Sequence, residues 1–138
     1  MINNNSISCP FCILESNRDV VIENENAFAI FDKFPVSNGH LLIIPKLHCN
    51  SYFDLDIEIQ NACWDIVNHG KQLLEKMYSP SGYNIGININ EAGGQTIPHA
   101  HIHLIPRYTG DVSNPRGGVR GVIPFKQDYN AVKSVITN

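Results

Sequence analysis

Residues 95–107 constrain this chain more than any other stretch: Gln95-Thr96-Ile97-Pro98-His99-Ala100-His101-Ile102-His103-Leu104-Ile105-Pro106-Arg107. Side chains on a β-strand alternate between its two faces. A strand here turns Ala100, Ile102 and Leu104 to a core and lines the other face with His99, His101 and His103. Three of the six histidines of the chain then share one face. Histidine is a poor default for a solvated face, so a site is expected, either a metal centre or a histidine nucleophile with histidine helpers. Same-face neighbours lie roughly 6–7 Å apart and the outer pair roughly 13 Å apart. Ligands approach one zinc to about 2.0–2.1 Å. A single metal is therefore hard to share among all three rings, and they are expected to do different jobs.

The flanks supply the rest of the pattern. Asn84, Gly86, Asn88 and Asn90 alternate with Tyr83, Ile85, Ile87 and Ile89, which predicts a half-buried strand beside a polar site. Glu91-Ala92-Gly93-Gly94 is a hairpin-like join into the histidine strand. Upstream, 19–23 and 27–32 predict two strands about the turn Asn24-Glu25-Asn26. His40-Leu41-Leu42-Ile43-Ile44 predicts an apolar strand that Pro45 stops. The stripe of Ile57, Ile59, Ala62, Cys63, Ile66, Val67, Leu73, Leu74 and Met77 predicts one long helix over 56–77, with Asp54 or Asp56 at its start. A final short helix is expected over 126–137. Cys9-Pro10-Phe11-Cys12 is half a metal site, a redox pair or a chance pair on spacing alone.

Composition narrows the class. A chain of 138 residues, 43% hydrophobic and 17% charged, suits one domain. We expect it to span 1–138, with 1–8 frayed and 108–138 an irregular tail. A net charge of −3 gives no reason to expect nucleic acid or membrane as a partner. No signal peptide or spanning segment is evident, so a cytoplasmic, reducing setting is expected. No Gly-x-x-x-x-Gly-Lys-Ser/Thr loop is present, which excludes a P-loop enzyme.

The run His99-x-His101-x-His103, led by Gly94-Gln95-Thr96 and closed by Ile105-Pro106-Arg107, resembles the signature of the histidine triad (HIT) family of nucleotide hydrolases and transferases. Gly39-His40 through Pro45-Lys46 and His48 resembles its second block. The resemblance implies an α+β fold: a five-stranded antiparallel sheet with one long helix and short helices, forming a homodimer. It implies that His101 attacks the α-phosphate, His103 binds the phosphoryl oxygens, and His40 adds partial positive charge beside them. Asp32 is implied to bind the ribose hydroxyls, Asn88, Gln95 and Thr96 the phosphate, and Ile30 the base pocket. Cys9, Cys12, His48 and His99 are implied to hold a structural zinc. His99 also orients His101 through its backbone carbonyl, and a zinc on its ring leaves the leaving-group acid unassigned. The substrate expected is a nucleotide, a purine one, and specifically a dinucleoside polyphosphate. The alternatives are a nucleoside phosphoramidase, a metallohydrolase with its metal on His101 and His103, and a non-catalytic nucleotide-binding protein. Arg116 and Arg120 are either solvated or reach distal phosphates. Cys63 is expected in the core.

Overall fold

The computed structural model describes residues 8–14 and 18–130. Strands β1 (Ile22–Glu23), β2 (Ala27–Phe31) and β3 (Leu41–Pro45) are followed by helix α1 (Ile57–Tyr78), then β4 (Gly82–Gly86) and β5 (Ile102–Arg107). The strands form one antiparallel sheet in the order β1-β2-β3-β5-β4. The fold is the expected α+β architecture. Among the described residues no helix is long and apolar enough to cross a membrane.

The two faces of the sheet are covered differently. Cys63, Ile66, Val67, Gly70 and Leu74 form the buried stripe of α1. They pack on Ala27, Ala29, Leu41, Ile43, Ile102 and Leu104. Gly70 sets the closeness of that contact: a Cβ there would stand 3.1 Å from Leu41 Cδ1 and 3.2 Å from Leu104 Cδ2. On the other face Phe28, Ile30, Leu42 and Ile44 are covered by Cys9 and Phe11. β3 is therefore apolar on both faces, and its continuous run of buried residues follows from that double cover.

Several expected boundaries shift. The first strand shortens from 19–23 to Ile22–Glu23. The strand expected over 83–90 stops at Gly86, and Asn90 takes φ +64°, outside the strand region. β4 is an edge strand: Tyr83 packs on the core and donates to Glu75 of α1 at 2.9 Å, whereas Ile85 on the same expected buried face is exposed. Residues 91–93 form a 3₁₀ turn, so β4 and β5 are neighbours joined by a long loop, with no tight hairpin. Asp56 caps α1 by position, without a side-chain hydrogen bond. In the tail, 118–122 form a 3₁₀ helix against β4. Residues 1–7, and 131–138 of the expected last helix, lie outside the described residues.

Candidate active site and metal centre

The strand carrying the histidines begins at Ile102, three residues later than His99. Pro45 ends β3, and a proline has no N–H to extend the ladder. Upstream the chain is instead held by the Ala100 N–H donating to the Cys49 carbonyl at 2.7 Å. Alternation survives for the last two histidines. His101 and His103 line a cleft of about 400 Å³, whereas His99 is wholly buried and leaves that face.

The hydrogen bonds decide which nitrogen of each ring carries a proton. A carbonyl oxygen can only accept. His101 Nδ1 lies 2.8 Å from the His99 carbonyl, so Nδ1 holds the hydrogen and Nε2 keeps a bare lone pair. His99 Nε2 lies 2.8 Å from the Pro45 carbonyl, so its bare nitrogen is Nδ1. The Val36 N–H donates to His40 Nδ1 at 3.2 Å, which leaves the hydrogen of His40 on Nε2. His40 Nε2 donates to His103 Nδ1 at 2.9 Å. His103 must then carry its hydrogen on Nε2. That atom is buried and is the one buried side-chain polar atom without a partner among the described residues. The cleft thus sets an unused N–H donor beside an imidazole with a free lone pair, the two rings 5.0 Å apart between centres.

Burial keeps His40 and His103 neutral. It pulls His103 down to about 4, helped by neighbouring His101 and His40 and opposed by Asp32. Burial also lowers His40, against the pull of Asp32, whose Oδ2 stands 3.4 Å from His40 Nε2. His40 is therefore a neutral donor, and the partial positive charge it brings is that of an N–H directed at His103.

The other expected residues divide. Asp32, Asn88 and Thr96 line the cleft with the histidines. Asp32 Oδ1 also accepts the Phe34 N–H at 2.9 Å, so it closes a turn as well as facing the cleft. Gln95 stands outside the cleft: it donates to the Asn50 and Ile97 carbonyls and accepts the Asn90 N–H, which staples the loop. Ile30 is fully buried beneath the cleft, and Leu42 on the next strand provides the apolar floor instead. Ile30 shares the face of Leu42, its cross-strand partner, and lies beneath the cover of Cys9 and Phe11. Phe11 itself was not expected in the site. It packs edge-on to His101 at 5.1 Å and to His99 at 5.8 Å. Its place between two cysteines was the only available signal.

Behind that wall, Cys9, Cys12, His48 and His99 converge, with all four donor atoms within 4.8 Å of one another. Cys9 Sγ and Cys12 Sγ lie 3.3 and 3.6 Å from His99 Nδ1. His48 Nδ1 lies 3.1 Å from both Cys12 Sγ and His99 Nδ1. Four tetrahedral ligands at ordinary zinc distances stand roughly 3.3–3.8 Å apart, and these four separations of 3.1–3.6 Å come within a few tenths of an ångström of that range, so the residues fit a zinc. The bare Nδ1 of His99 faces the cluster while its other nitrogen is held by a carbonyl, the usual outer-shell arrangement of a ligating histidine. A metal held by all four donors has no open position and serves as a clamp. Cys49 and Cys63 are buried elsewhere.

The comparisons with known proteins agree with this geometry. The family model described as "HIT domain" matches residues 14–110. An uncharacterized 16.1 kDa HIT-like protein of Mycoplasma pneumoniae is 39% identical over 110 residues, covering 78% of this chain and 75% of its own. An asymmetrical bis(5'-nucleosyl)-tetraphosphatase of Schizosaccharomyces pombe is 38% identical over 79 residues, covering 57% of this chain but only 43% of its own. The crystal structure of a zinc-bound histidine triad family protein from Mycobacterium smegmatis superposes with a TM-score of 0.70 at 26% identity, covering 97% of this chain and 100% of the other. The triad, its hydrogen bonds and the matched model lead to one conclusion: this chain belongs to the HIT domain family.

Proposed function

We propose that the protein hydrolyses a nucleotide at its α-phosphate through a nucleotidyl-histidine. The observation that carries this reading is the pair at the cleft: the bare Nε2 of His101 beside the unpartnered Nε2–H of His103. A neutral imidazole is a competent nucleophile near pH 7. His101 Nε2 forms a bond to the α-phosphorus while the bond to the leaving group breaks, and its Nδ1–H stays on the His99 carbonyl. The His103 Nε2–H stabilises the oxygen that gains charge, with Asn88 and Thr96 beside it. Asp32 accepts from the ribose hydroxyls. Water then attacks the same phosphorus, releases the nucleoside monophosphate and restores His101. His99 has both nitrogens engaged away from the cleft, so it orients His101 and takes no proton from the reaction. The four-donor cluster holds a structural zinc, which supplies no step. β4 leaves the sheet an open edge, and a second copy continuing the sheet there is the homodimer we infer.

The tetraphosphatase relative supports a dinucleoside polyphosphate as substrate. A second reading, a nucleoside phosphoramidate, is favoured by the chamber of about 410 Å³ on the other side of His103. Val36, Ile105, Val119 and Val122 wall it, and no acidic or basic side chain other than the neutral histidines lines it. Arg116 is drawn to Asp128 at 3.7 Å, and Arg120 lies over the Tyr129 ring. A polyphosphate chain in that chamber would meet no cation, whereas an amine leaving group needs none. The test is a substrate panel of both classes with wild type and His101→Ala. Wild type should release a nucleoside monophosphate and form an acid-labile nucleotidyl adduct, and His101→Ala should form none. Equal turnover by His101→Ala would refute the nucleophile.

A further inference from the structure

The reaction above leaves one end of the cleft without a task. His103 sits on β5, and β3 and then β2 follow across the sheet. β2 is therefore two strand spacings, roughly 10 Å, from the phosphate end. At the end of β2 the cleft is lined by Asp32, Lys33 and Phe34, with Arg18 beside them. Arg18 is half-buried, and one Nη2 hydrogen donates to the Phe31 carbonyl at 2.9 Å. That bond ties one end of the guanidinium to the strand end.

A nucleotide with its phosphorus at His101 and its ribose at Asp32 sends its base toward this corner. Guanidinium and ammonium groups donate hydrogen bonds and accept none. The carboxylate of Asp32 is already approached by the Phe34 N–H and by His40. The corner is thus rich in donors. Guanine offers two adjacent acceptors, O6 and N7, in the spacing that an arginine fork matches. Adenine puts an amino donor where guanine has O6.

We propose that Arg18 is a specificity-determining residue that reads the O6/N7 edge of the base, so that this chain prefers guanosine over adenosine nucleotides. The inference rests on the nucleotide reading of the site, and binding of the product nucleotides tests the two separately. Calorimetry with GMP, AMP and 7-deaza-GMP should be run on wild type, Arg18→Gln and Arg18→Lys. Wild type should bind GMP at least about tenfold more tightly than AMP, the discrimination expected of a bidentate arginine contact. 7-Deaza-GMP lacks the N7 acceptor and should lose most of that advantage on the unaltered protein. Arg18→Gln should bring the GMP:AMP ratio to one or below, since a glutamine amide matches the N6/N7 edge of adenine. Arg18→Lys keeps the charge without the fork and should fall between. Equal affinity of wild type for GMP and AMP, or a preference that survives Arg18→Gln, would overturn the role of Arg18 alone. Failure of wild type to bind any of the three would overturn the nucleotide reading and this inference with it.

Discussion

With zinc on the proposed Cys9–Cys12–His48–His99 cluster, stripping it should loosen the wall of the cleft as well as lower stability. The cluster joins the segment of Cys9 and Cys12 to His48, just after β3, and to His99, just before β5. Between the cysteines, Phe11 is only 4% exposed and packs edge-on against His101. A site loaded at a thousand times its dissociation constant stabilises the fold by about 4.1 kcal/mol. For a chain of this size each kcal/mol moves the melting midpoint by roughly 3–6 °C, so removal should lower it by roughly 12–25 °C. Losing the edge-on contact of Phe11 adds about 0.5–1.5 kcal/mol of local loosening at His101. The assay is thermal melting with a chelator and after zinc is returned, beside metal analysis of the loaded protein and turnover at a temperature where the stripped form is still folded. We expect one zinc per chain, a midpoint that falls and recovers, and turnover that falls with it. Cys12→Ser should reproduce the stripped state. A rival metal on Asp32, His40 and His103 predicts instead that Cys12→Ser leaves the metal bound. The Val36 N–H on His40 Nδ1 argues against that rival, since it leaves the ring hydrogen on Nε2, the atom that would have to bind the metal. A midpoint unmoved by chelation in a protein shown to be metal-free would refute the clamp.

Two further outcomes follow from the same geometry. Gly39 holds φ +91°, and a Cβ there would stand 2.8 Å from Leu74 Cδ2. Gly39→Ala should therefore cost roughly 2–5 kcal/mol in denaturant unfolding, the sum of a left-handed backbone and an overpacked contact, and should lower turnover because His40 follows directly. His103 falls to about 4 on folding from an ordinary 6.5. The folded chain thus binds fewer protons than the unfolded chain between those values, so its stabilising contribution is complete above pH 6.5 and declines as pH falls toward 4. His103→Asn should flatten the pH dependence of the melting midpoint over that window, with zinc held equal in both proteins; an unchanged slope would show that the ring titrates normally.

The parts of the site that were legible in the sequence are those that side-chain periodicity encodes. The alternation of Ile102, His103 and Leu104 placed one face on the core, and the stripe of α1 did the same for the helix. The parts that were not legible depend on the backbone. Period two put His99 with its two neighbours, yet regular pairing starts only at Ile102 and the ring turns to the cysteines. Asn88 was read as part of a strand, and it reaches the cleft from a loop that begins after Gly86. Arg18 carried no signal, because what places it is a carbonyl of Phe31. The division of labour among the histidines has the same origin. His99 and His101 are histidines of one motif, but a carbonyl holds Nε2 of the first and Nδ1 of the second. That single exchange of nitrogens aims one lone pair at a metal cluster and the other at a cleft. The Val36 N–H does the equivalent for His40 and, through it, turns His103 into a donor. Any residue supplies the carbonyls of positions 45 and 99, and any but proline the N–H of position 36, so the chemistry of the triad is written in the path of the main chain around it.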